Sequence, residues 1–341
     1  MSLPVLPRRG FMAAGLGLVF ALAACGGGGA ETPAATGGSP AAAASPAAGP
    51  WTFTDDRGKK IELPKRPARV VAQVGAAAAL WDFGVRPVAV FGPHKLKDGA
   101  KDPQVGDVDI TKVESIGNVW DEFNVEKYIS LQPDLLVSSM FDKDALWYVP
   151  EKSAATIEEV APTLGVSLLD VTMPKLVERY GQVAEALGAD LKAPEVTAAK
   201  ARFDAAVAAL PTPEAKGLKI LVIAGAPDAM WVANPDAFPD TRYFKEAGLD
   251  LVVPEKVDDG GFWQSLSWEN ADTYDVDVIL ADSRTQSLRP EEMMKKPTFA
   301  ALPAVKGGQV YEWHAEERYS YQGYAAVLEQ LATNLAKAKK L

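Results

Sequence analysis

The sequence of 341 residues has few of the side chains that most often cross-link a fold or hold a metal ion. It contains one cysteine and two histidines. A single cysteine cannot form an intramolecular disulfide, so the fold must be stable without covalent cross-links. A transition-metal site usually needs several convergent His, Cys, Asp or Glu ligands, and His94 and His314 supply little towards one. We therefore expect no metal ion held directly by the protein.

The sequence also lacks an excess of positive charge. Its 35 lysines and arginines are outnumbered by 45 aspartates and glutamates, which gives a net charge of −10. No basic stripe is present to neutralise a phosphate backbone, so nucleic acid is not an expected partner. With 48% hydrophobic residues, a chain of this length can build two cores.

The first fifty residues differ in composition from the rest. Two arginines precede an apolar stretch at 11–21, and small residues lead up to Cys25. A basic start, a short apolar run and a small-residue cleavage site are typical of a secretory signal peptide, so residues 1–24 are predicted to be removed. Residues 25–50 are mostly Gly, Ala, Pro, Ser and Thr. They bury too little apolar surface to offset the entropy of ordering, and we predict a flexible tether.

A helical pattern occupies the middle of the chain. Between Met173 and Leu210, apolar residues recur at helical spacing in two stretches that are separated by a break after Gly188. On either side, strand-like and helix-like segments alternate, which is typical of parallel sheets covered by helices. We predict an α/β fold of two Rossmann-like lobes, residues 51–172 and 193–341, joined by a long interlobe helix at 173–192. The binding site is expected in the cleft between the lobes.

Several short motifs follow one another from Trp51 to the end of the chain. They are FTDDRG at 53–58, IG at 116–117, NVE at 124–126, LQPDLLV at 131–137, SWE at 267–269, and ALPAVK at 301–306 followed by GQVY at 308–311. Together they resemble the periplasmic-binding-protein family that delivers iron–siderophores, haem and cobalamin to ATP-driven importers. The resemblance implies two lobes bridged by a helix, no enzymatic activity and no resident cofactor, with an iron(III) siderophore as the cargo.

The end of the signal peptide carries a second resemblance. Leu22–Cys25 is similar to a bacterial lipobox, which implies that Cys25 is lipid-modified and becomes the first mature residue. The pair Arg8 and Arg9 is similar to a twin-arginine export signal, although a general secretory signal also begins with basic residues. A lipid anchor would hold the protein at the outer face of the cytoplasmic membrane.

The family resemblance also implies a protein partner. In such proteins one glutamate at the tip of each lobe pairs with arginines on the importer's membrane subunits, which work with a cytoplasmic ATPase. The matching positions are Glu126 and Glu269, each at a predicted helix N-terminus. An acidic residue there also stabilises the helix dipole, so a purely local role stays open. We expect the binding protein to be a monomer.

A ferric siderophore carries its own oxygen ligands, so its binding protein needs aromatic walls and a few cationic or hydrogen-bonding groups. Arginine suits this purpose because its planar guanidinium contacts chelating oxygens at two points. Candidates are aromatic residues and arginines in loops, since loops at strand ends form the crevice of an open parallel sheet. In the first lobe they are Trp120, Phe141, Trp147 and Tyr148. In the second they are Trp231, Arg242, Tyr243, Trp263, Arg284, Trp313, Arg318 and Tyr319.

Other ligands and one other function class stay open. The acidic pair Glu316 and Glu317 would favour a cationic ligand unless both side chains are solvated. Haem would need an axial ligand, for which Tyr148, His314 and Tyr319 are candidates, whereas cobalamin needs none. An extracytoplasmic hydrolase is the alternative of a different class. The sequence has no Gly-x-Ser-x-Gly, His-Glu-x-x-His or phosphate-binding Gly-Lys-Ser/Thr motif, and its paired aspartates at 55–56 and 258–259 are adjacent in sequence.

Overall fold

The computed structural model describes residues 49–210 and 213–341. The predicted signal peptide, Cys25 and nearly all of the tether lie outside the described residues. Those that are described belong to one compact unit, Ala44–Leu341. Within this part of the chain, no helix has both the length and the apolar character needed to cross a membrane.

The described chain begins with an antiparallel hairpin, β1 (Trp51–Thr54) and β2 (Lys60–Leu63). The buried Asp55 carboxylate accepts hydrogen bonds from the turn and from the backbone N–H of Gly165, at 3.0 Å. Its neighbour Asp56 forms an ion pair with Arg179 at 2.7 Å. Asp55 thus attaches the hairpin to the first lobe, and neither aspartate lines a cleft.

The first lobe is built on a parallel sheet. Its strands are β3 (Val70–Gln73), β4 (Ala89–Phe91), β5 (Glu114–Ser115), β6 (Leu135–Met140) and β7 (Thr163–Ser167). They lie in the order β5-β4-β3-β6-β7, and every pairing is parallel. Every residue of β3, β4 and β6 is buried, as expected for strands that are covered on both faces.

Helices α1 (Val74–Asp82), α2 (Val125–Ser130) and α3 (Glu151–Val160) connect these strands. Asn124, two residues before the predicted helix start at Glu126, is the N-cap of α2. Its side-chain oxygen accepts from the backbone N–H of Lys127 at 2.9 Å. The helical pattern at 154–164 predicts a helix that ends later than α3 does. Helix α3 ends at Val160 because Pro162 forces Ala161 into an extended conformation, and β7 starts immediately, before the predicted strand at 167–169.

Two helices lie between the sheets, as the sequence predicts: α4 (Met173–Ala186) and α5 (Pro194–Ala209). Helix α4 ends where Gly188 adopts a φ of 99°, so it is shorter than the predicted segment 173–192. It contacts both lobes through Tyr180. The Tyr180 hydroxyl lies 2.8 Å from Ser139 on β6, and its ring stacks on Tyr319 of the second lobe at 6.2 Å.

The second lobe is built on a mixed sheet. Its strands are β8 (Lys219–Gly225), β9 (Met230–Ala233), β10 (Asp250–Leu251), β11 (Trp263–Leu266), β12 (Val278–Asp282) and β13 (Val310–Trp313). The order is β11-β9-β8-β12-β13, with β10 beside the start of β8. The predicted parallel arrangement holds for β8, β10, β12 and β13, whereas β9 and β11 are antiparallel. A tight turn at 226–229 returns the chain directly from β8 into β9, which only an antiparallel pair allows.

Helices α6 (Pro239–Glu246), α7 (Pro290–Met293), α8 (Pro297–Ala301), α9 (Pro303–Lys306) and α10 (Tyr321–Leu335) complete the second lobe. The predicted helix at 268–273 is a single 3₁₀ turn at Trp268–Asn270. Helix α10 packs on α5 and reaches the first lobe. The Tyr321 ring contacts Phe83 at 5.4 Å and Phe203 at 5.5 Å, so one apolar core continues across both lobes. The two-lobe α/β fold is thereby confirmed.

Candidate functional site

A cavity of about 490 Å³ lies between the lobes. Part of its wall comes from segments that follow parallel strands, as expected at the carboxyl edge of such a sheet. Phe141 follows β6, Arg284 follows β12 and Glu316 follows β13. The first lobe contributes Phe141, Asp142, Trp147 and Leu169, and the second contributes Phe238, Asp259, Gly260, Phe262, Trp263, Arg284 and Glu316.

The two aromatic residues of the first-lobe wall, Phe141 and Trp147, belong to a cluster of rings that continues away from the cavity to Trp120 and Tyr148. The Trp147 ring lies 4.8 Å from Phe141 and 4.8 Å from Trp120. Trp120 also contacts Tyr148 at 5.1 Å, and it is 58% exposed. Among the described side chains, the Trp147 indole N–H is one of the buried donors without a hydrogen-bond partner. Burial, followed by the nearby Glu316 carboxylate, raises the pKa of Tyr148 to about 12, so this phenol stays protonated at neutral pH.

A second aromatic cluster forms the opposite wall. Phe238 lies 5.6 Å from Phe262, 5.1 Å from Trp263 and 5.1 Å from Trp313. Trp313 lies behind this wall, since it is 2% exposed and donates its indole N–H to Asp240 at 2.7 Å. The rings from the two lobes give the cavity apolar, rigid sides that suit a large chelate.

Arg284 is the cationic group of the cavity, and its charge is already paired. Its Nη2 lies 2.8 Å from Asp282, and its Nη1 also forms an ion pair with Glu316. Burial lowers the pKa of Arg284, but the carboxylates of Glu316 and Asp282 outweigh that effect and raise it. The guanidinium is therefore always charged and is held in place by two carboxylates.

A smaller cavity of about 300 Å³ adjoins the first. Trp263 and Arg284 line both cavities, so these two side chains form the partition between them. The remaining lining residues are Ala224, Gly225, Trp231, Asp258, Asp282, Gln286 and Ser287. This side cavity lies entirely on the second lobe.

Two of the three predicted arginines do not line the main cavity. Arg242 donates to the backbone carbonyl of Val171 at 2.8 Å and to that of Asp236, which ties α6 to the segment before α4. Arg318 forms an ion pair with Asp82 of the first lobe at 2.7 Å. Both guanidinium groups therefore hold the lobes together. The expectation that they line the main cavity is wrong.

Three predicted aromatic residues are likewise part of the core. Besides Trp313, these are Tyr243, whose hydroxyl donates to Val207 of α5 at 3.0 Å, and Tyr319, which stacks on Tyr324 at 5.4 Å. Tyr243 is 9% exposed and Tyr319 is 6% exposed. Their rings pack between helices, which leaves little surface for a ligand. Of the predicted set, Phe141, Trp147, Trp231, Trp263 and Arg284 line the two cavities.

The sequence prediction missed several wall residues, namely Asp142, Leu169, Phe238, Asp259, Gly260 and Phe262. Phe262 precedes Trp263 and Asp142 follows Phe141, so adjacency to a candidate was an available signal. Phe238 is an apolar residue immediately before α6, a helix that begins with a proline, and this position could have marked it as a candidate. Glu316 forms an ion pair instead of being solvated, which only the folded position of Arg284 reveals.

The two glutamates matched to importer docking are both exposed. Glu126 lies in the first turn of α2, and Glu269 lies in the 3₁₀ turn that follows β11. A backbone hydrogen bond and the Ser267 hydroxyl lower the pKa of Glu269, so it is ionised at neutral pH. The docking role of these glutamates stays a prediction.

The described residues contain no group of three or more His, Cys, Asp or Glu side chains placed to hold a metal ion. His94 is 1% exposed and its Nδ1 lies 2.7 Å from the carbonyl oxygen of Gly92. Burial lowers the pKa of His94, so this side chain is a neutral part of the first lobe. His314 lies at the edge of the second lobe, 3.5 Å from the hydroxyl of Ser283.

Comparison with known proteins gives consistent relatives. The family profile described as periplasmic binding protein matches residues 72–317. The chain is 26% identical over 261 residues to the Fe(3+)-citrate-binding protein YfmC of Bacillus subtilis (strain 168), with 76% of each chain covered. It is 25% identical over 304 residues to the iron(3+)-hydroxamate-binding protein FhuD of the same organism, with 86% of each covered.

A solved structure is more similar still. DesE, a ferric-siderophore receptor protein from Streptomyces coelicolor, superposes with a TM-score of 0.80 at 42% sequence identity. The match covers 85% of this chain and 99% of that one.

Proposed function

Because this chain belongs to the periplasmic binding protein family, we propose that it captures a ferric siderophore between its lobes and delivers it to an ABC importer. Members of the family are substrate-binding proteins, so the chain is a binding protein and not an enzyme. DesE, with 42% identity, is a ferric-siderophore receptor, and YfmC and FhuD bind ferric citrate and ferric hydroxamate. These relatives support iron(III) chelates as the cargo.

One observation carries the proposal: the main cavity is shared by both lobes and is lined by Phe141, Trp147, Phe238, Phe262 and Trp263. A siderophore supplies the oxygen ligands of its own iron, and in hydroxamate chelates the hydrocarbon chains that link these ligands face outwards. Rigid aromatic walls match that exterior, and the protein itself need not ligate the metal. The cargo is thus the whole chelate.

The proposal includes the route of delivery. A lipid on Cys25 would anchor the protein to the membrane, and the tether at 25–50 would let the lobes reach the importer. The lipobox-like ending Leu22–Cys25 supports the anchor. The exposure of Glu126 and Glu269 supports docking to arginines of the membrane subunits.

Tryptophan fluorescence tests the cargo, because Trp147 and Trp263 line the main cavity. The purified chain is titrated with ferric hydroxamates, ferric catecholates, haem and cobalamin. We expect saturable quenching at one ligand per chain with a ferric siderophore, and little quenching with the iron-free form, whose flexible arms do not present the same compact surface.

Two other outcomes would change the proposal. Quenching by haem or cobalamin alone would keep the importer role and replace the cargo. A lack of binding by every compound in the panel would contradict siderophore capture.

A further inference from the structure

The side cavity owes its shape to the register of two antiparallel strands. Trp231 of β9 lies opposite Ser265 of β11, and Trp263 is two residues before Ser265. Alternate residues of a strand share a face, so the two indoles lie on the same face as diagonal neighbours, typically about 7–8 Å apart. Contacts of Trp263 with Phe238 and Trp313 fix its ring in this position.

The floor of the side cavity is open because β8 ends in small residues. Ala224 lies opposite Trp231, and Gly225 follows it. A Cβ atom on Gly225 would come within 2.8 Å of the Met293 Cε, so the missing side chain lets Met293 pack closely behind the floor. The result is a pocket lined by two indole rings that is smaller than the main cavity and has room for one arm of a chelate.

Acidic groups line this pocket and the main cavity beside it. Asp258 lies on its rim, where one carboxylate oxygen accepts from the backbone N–H of Phe262 at 2.9 Å and fixes the loop. The described residues lining the two cavities have a formal charge of −4, from one guanidinium, Arg284, and five carboxylates: Asp142, Asp258, Asp259, Asp282 and Glu316. An anionic chelate would be repelled by this wall, whereas a positive charge would be attracted.

Arg284 does not reverse this preference. Its guanidinium side chain is 13% exposed and is paired with Asp282 and Glu316. A ligand carboxylate or catecholate that approached Arg284 would have to compete with two carboxylates already in place. The partition between the cavities therefore offers no unpaired positive charge.

We propose that the side cavity is a subsite for a positively charged arm of the chelate, a primary ammonium group that lies between Trp231 and Trp263 and faces Asp258. Two indole faces and a carboxylate are the groups that stabilise an ammonium ion, by cation–π attraction and by charge pairing. The ferric centre remains in the main cavity. The subsite rests on the proposed function, and it adds that the preferred siderophore has a cationic tail.

A matched pair of ligands tests the subsite. One is a linear ferric trihydroxamate that ends in a primary amine, and the other is the same chelate with that amine acetylated. We expect the full-length chain in mild detergent to bind the amine-bearing chelate about tenfold more tightly, measured by calorimetric titration. Acetylation removes the charge and leaves the ferric centre unchanged.

Variants then assign the preference to the pocket. Asp258→Asn keeps an oxygen that can accept from Phe262 and removes the charge, so we expect the preference to fall to within about threefold. Trp231→Leu should also reduce the preference for the amine-bearing chelate. Asp259→Asn removes an equal charge one residue away, on the main cavity, and is expected to shift both affinities by the same factor. Thermal unfolding of each variant shows whether the fold is retained.

The outcomes distinguish a failure of the ammonium subsite from a failure of the proposed siderophore capture. Equal affinity of the wild-type chain for both chelates, or equal loss for both in Asp258→Asn, would overturn the ammonium subsite while siderophore capture stands. Tighter binding of a trianionic ferric tris-catecholate would do the same. If no ferric chelate binds, the proposed function fails and the subsite falls with it.

Discussion

Asp240 is a buried carboxylate behind the cavity wall. It is 3% exposed, and its oxygens accept from the Trp313 indole at 2.7 Å and from the backbone N–H of Thr241 at 2.9 Å. Burial raises its pKa from 3.8 to about 6, although these hydrogen bonds and the charge of Arg284 lower it. The side chain that orients Trp313 therefore titrates in a range where most carboxylates are already ionised.

Stability should depend on pH through Asp240. Between about pH 4 and pH 6 the folded state retains a proton that the unfolded state has released, so stability falls as the pH rises through this range. The expected loss is at most about 3 kcal/mol and is complete above about pH 7. Urea denaturation of the wild-type chain and Asp240→Asn at several pH values measures it.

The substitution affects the pH dependence of stability and the overall level of stability separately. Asp240→Asn cannot titrate, so its stability should lack this decline, while the loss of one acceptor lowers the whole curve by about 1–3 kcal/mol. Asp272→Asn, at an exposed position, is the control and should follow the wild-type curve. If the stability of Asp240→Asn still falls with rising pH as in the wild type, another titratable group causes the decline.

At the scale of elements, Arg318 joins the start of α10 to the first lobe. Its guanidinium contacts Asp82 at 2.7 Å and Asp107 at 3.3 Å. Ser320, the N-cap of α10, donates to the same Asp82 oxygen at 2.6 Å. Gly106 makes room for the arginine, since a Cβ atom there would come within 2.7 Å of the Arg318 Cδ. This contact is one of the links between the two lobes.

Gly106→Ala should destabilise the interlobe contact. Gly106 has a φ of 55°, and the added methyl group would displace Arg318 from the first-lobe carboxylates of Asp82 and Asp107. Gly99→Ala is the matched control, because Gly99 has a φ of 85° and a Cβ there would meet nothing within 4 Å. We expect Gly99→Ala to cost backbone strain of about 1 kcal/mol and Gly106→Ala about 1–3 kcal/mol more, by denaturant unfolding. If both variants lose the same unfolding free energy, Arg318 does not pack against Gly106 as the structure indicates.

At the scale of the whole molecule, the proposed capture and the proposed delivery depend on different surfaces. The cavity-lining residues and the exposed Glu126 and Glu269 have no residue in common. Replacing both glutamates with alanine should therefore leave chelate affinity within about threefold of the wild type. Uptake of the radiolabelled ferric chelate by cells should be lost, because the charges that we propose to pair with the importer are gone.

The control for docking removes the same charge elsewhere. Glu62 and Glu255 are also exposed, and the double variant Glu62→Ala, Glu255→Ala should transport normally. Normal uptake by cells that carry the Glu126→Ala, Glu269→Ala variant would contradict the docking role.

The sequence by itself determined the elements whose signals are local. Helices α4 and α5, the Asn124 cap of α2 and the buried strands β3 and β8 follow from apolar spacing, capping and glycine stops. These signals arise between residues a few positions apart, so no tertiary information is needed to recognise them. Motif order also indicated the family and, with it, two lobes.

Tertiary structure decided which side chains meet at the cleft. Trp263 and Trp313 are equally plausible candidates in sequence, yet one lines both cavities and the other is 2% exposed. Arg284 lies on the cavity wall, whereas Arg318 joins the lobes. The physical reason is that a loop residue faces core or cleft according to which distant segment packs against it. That partner is fixed by long-range contacts and not by local spacing.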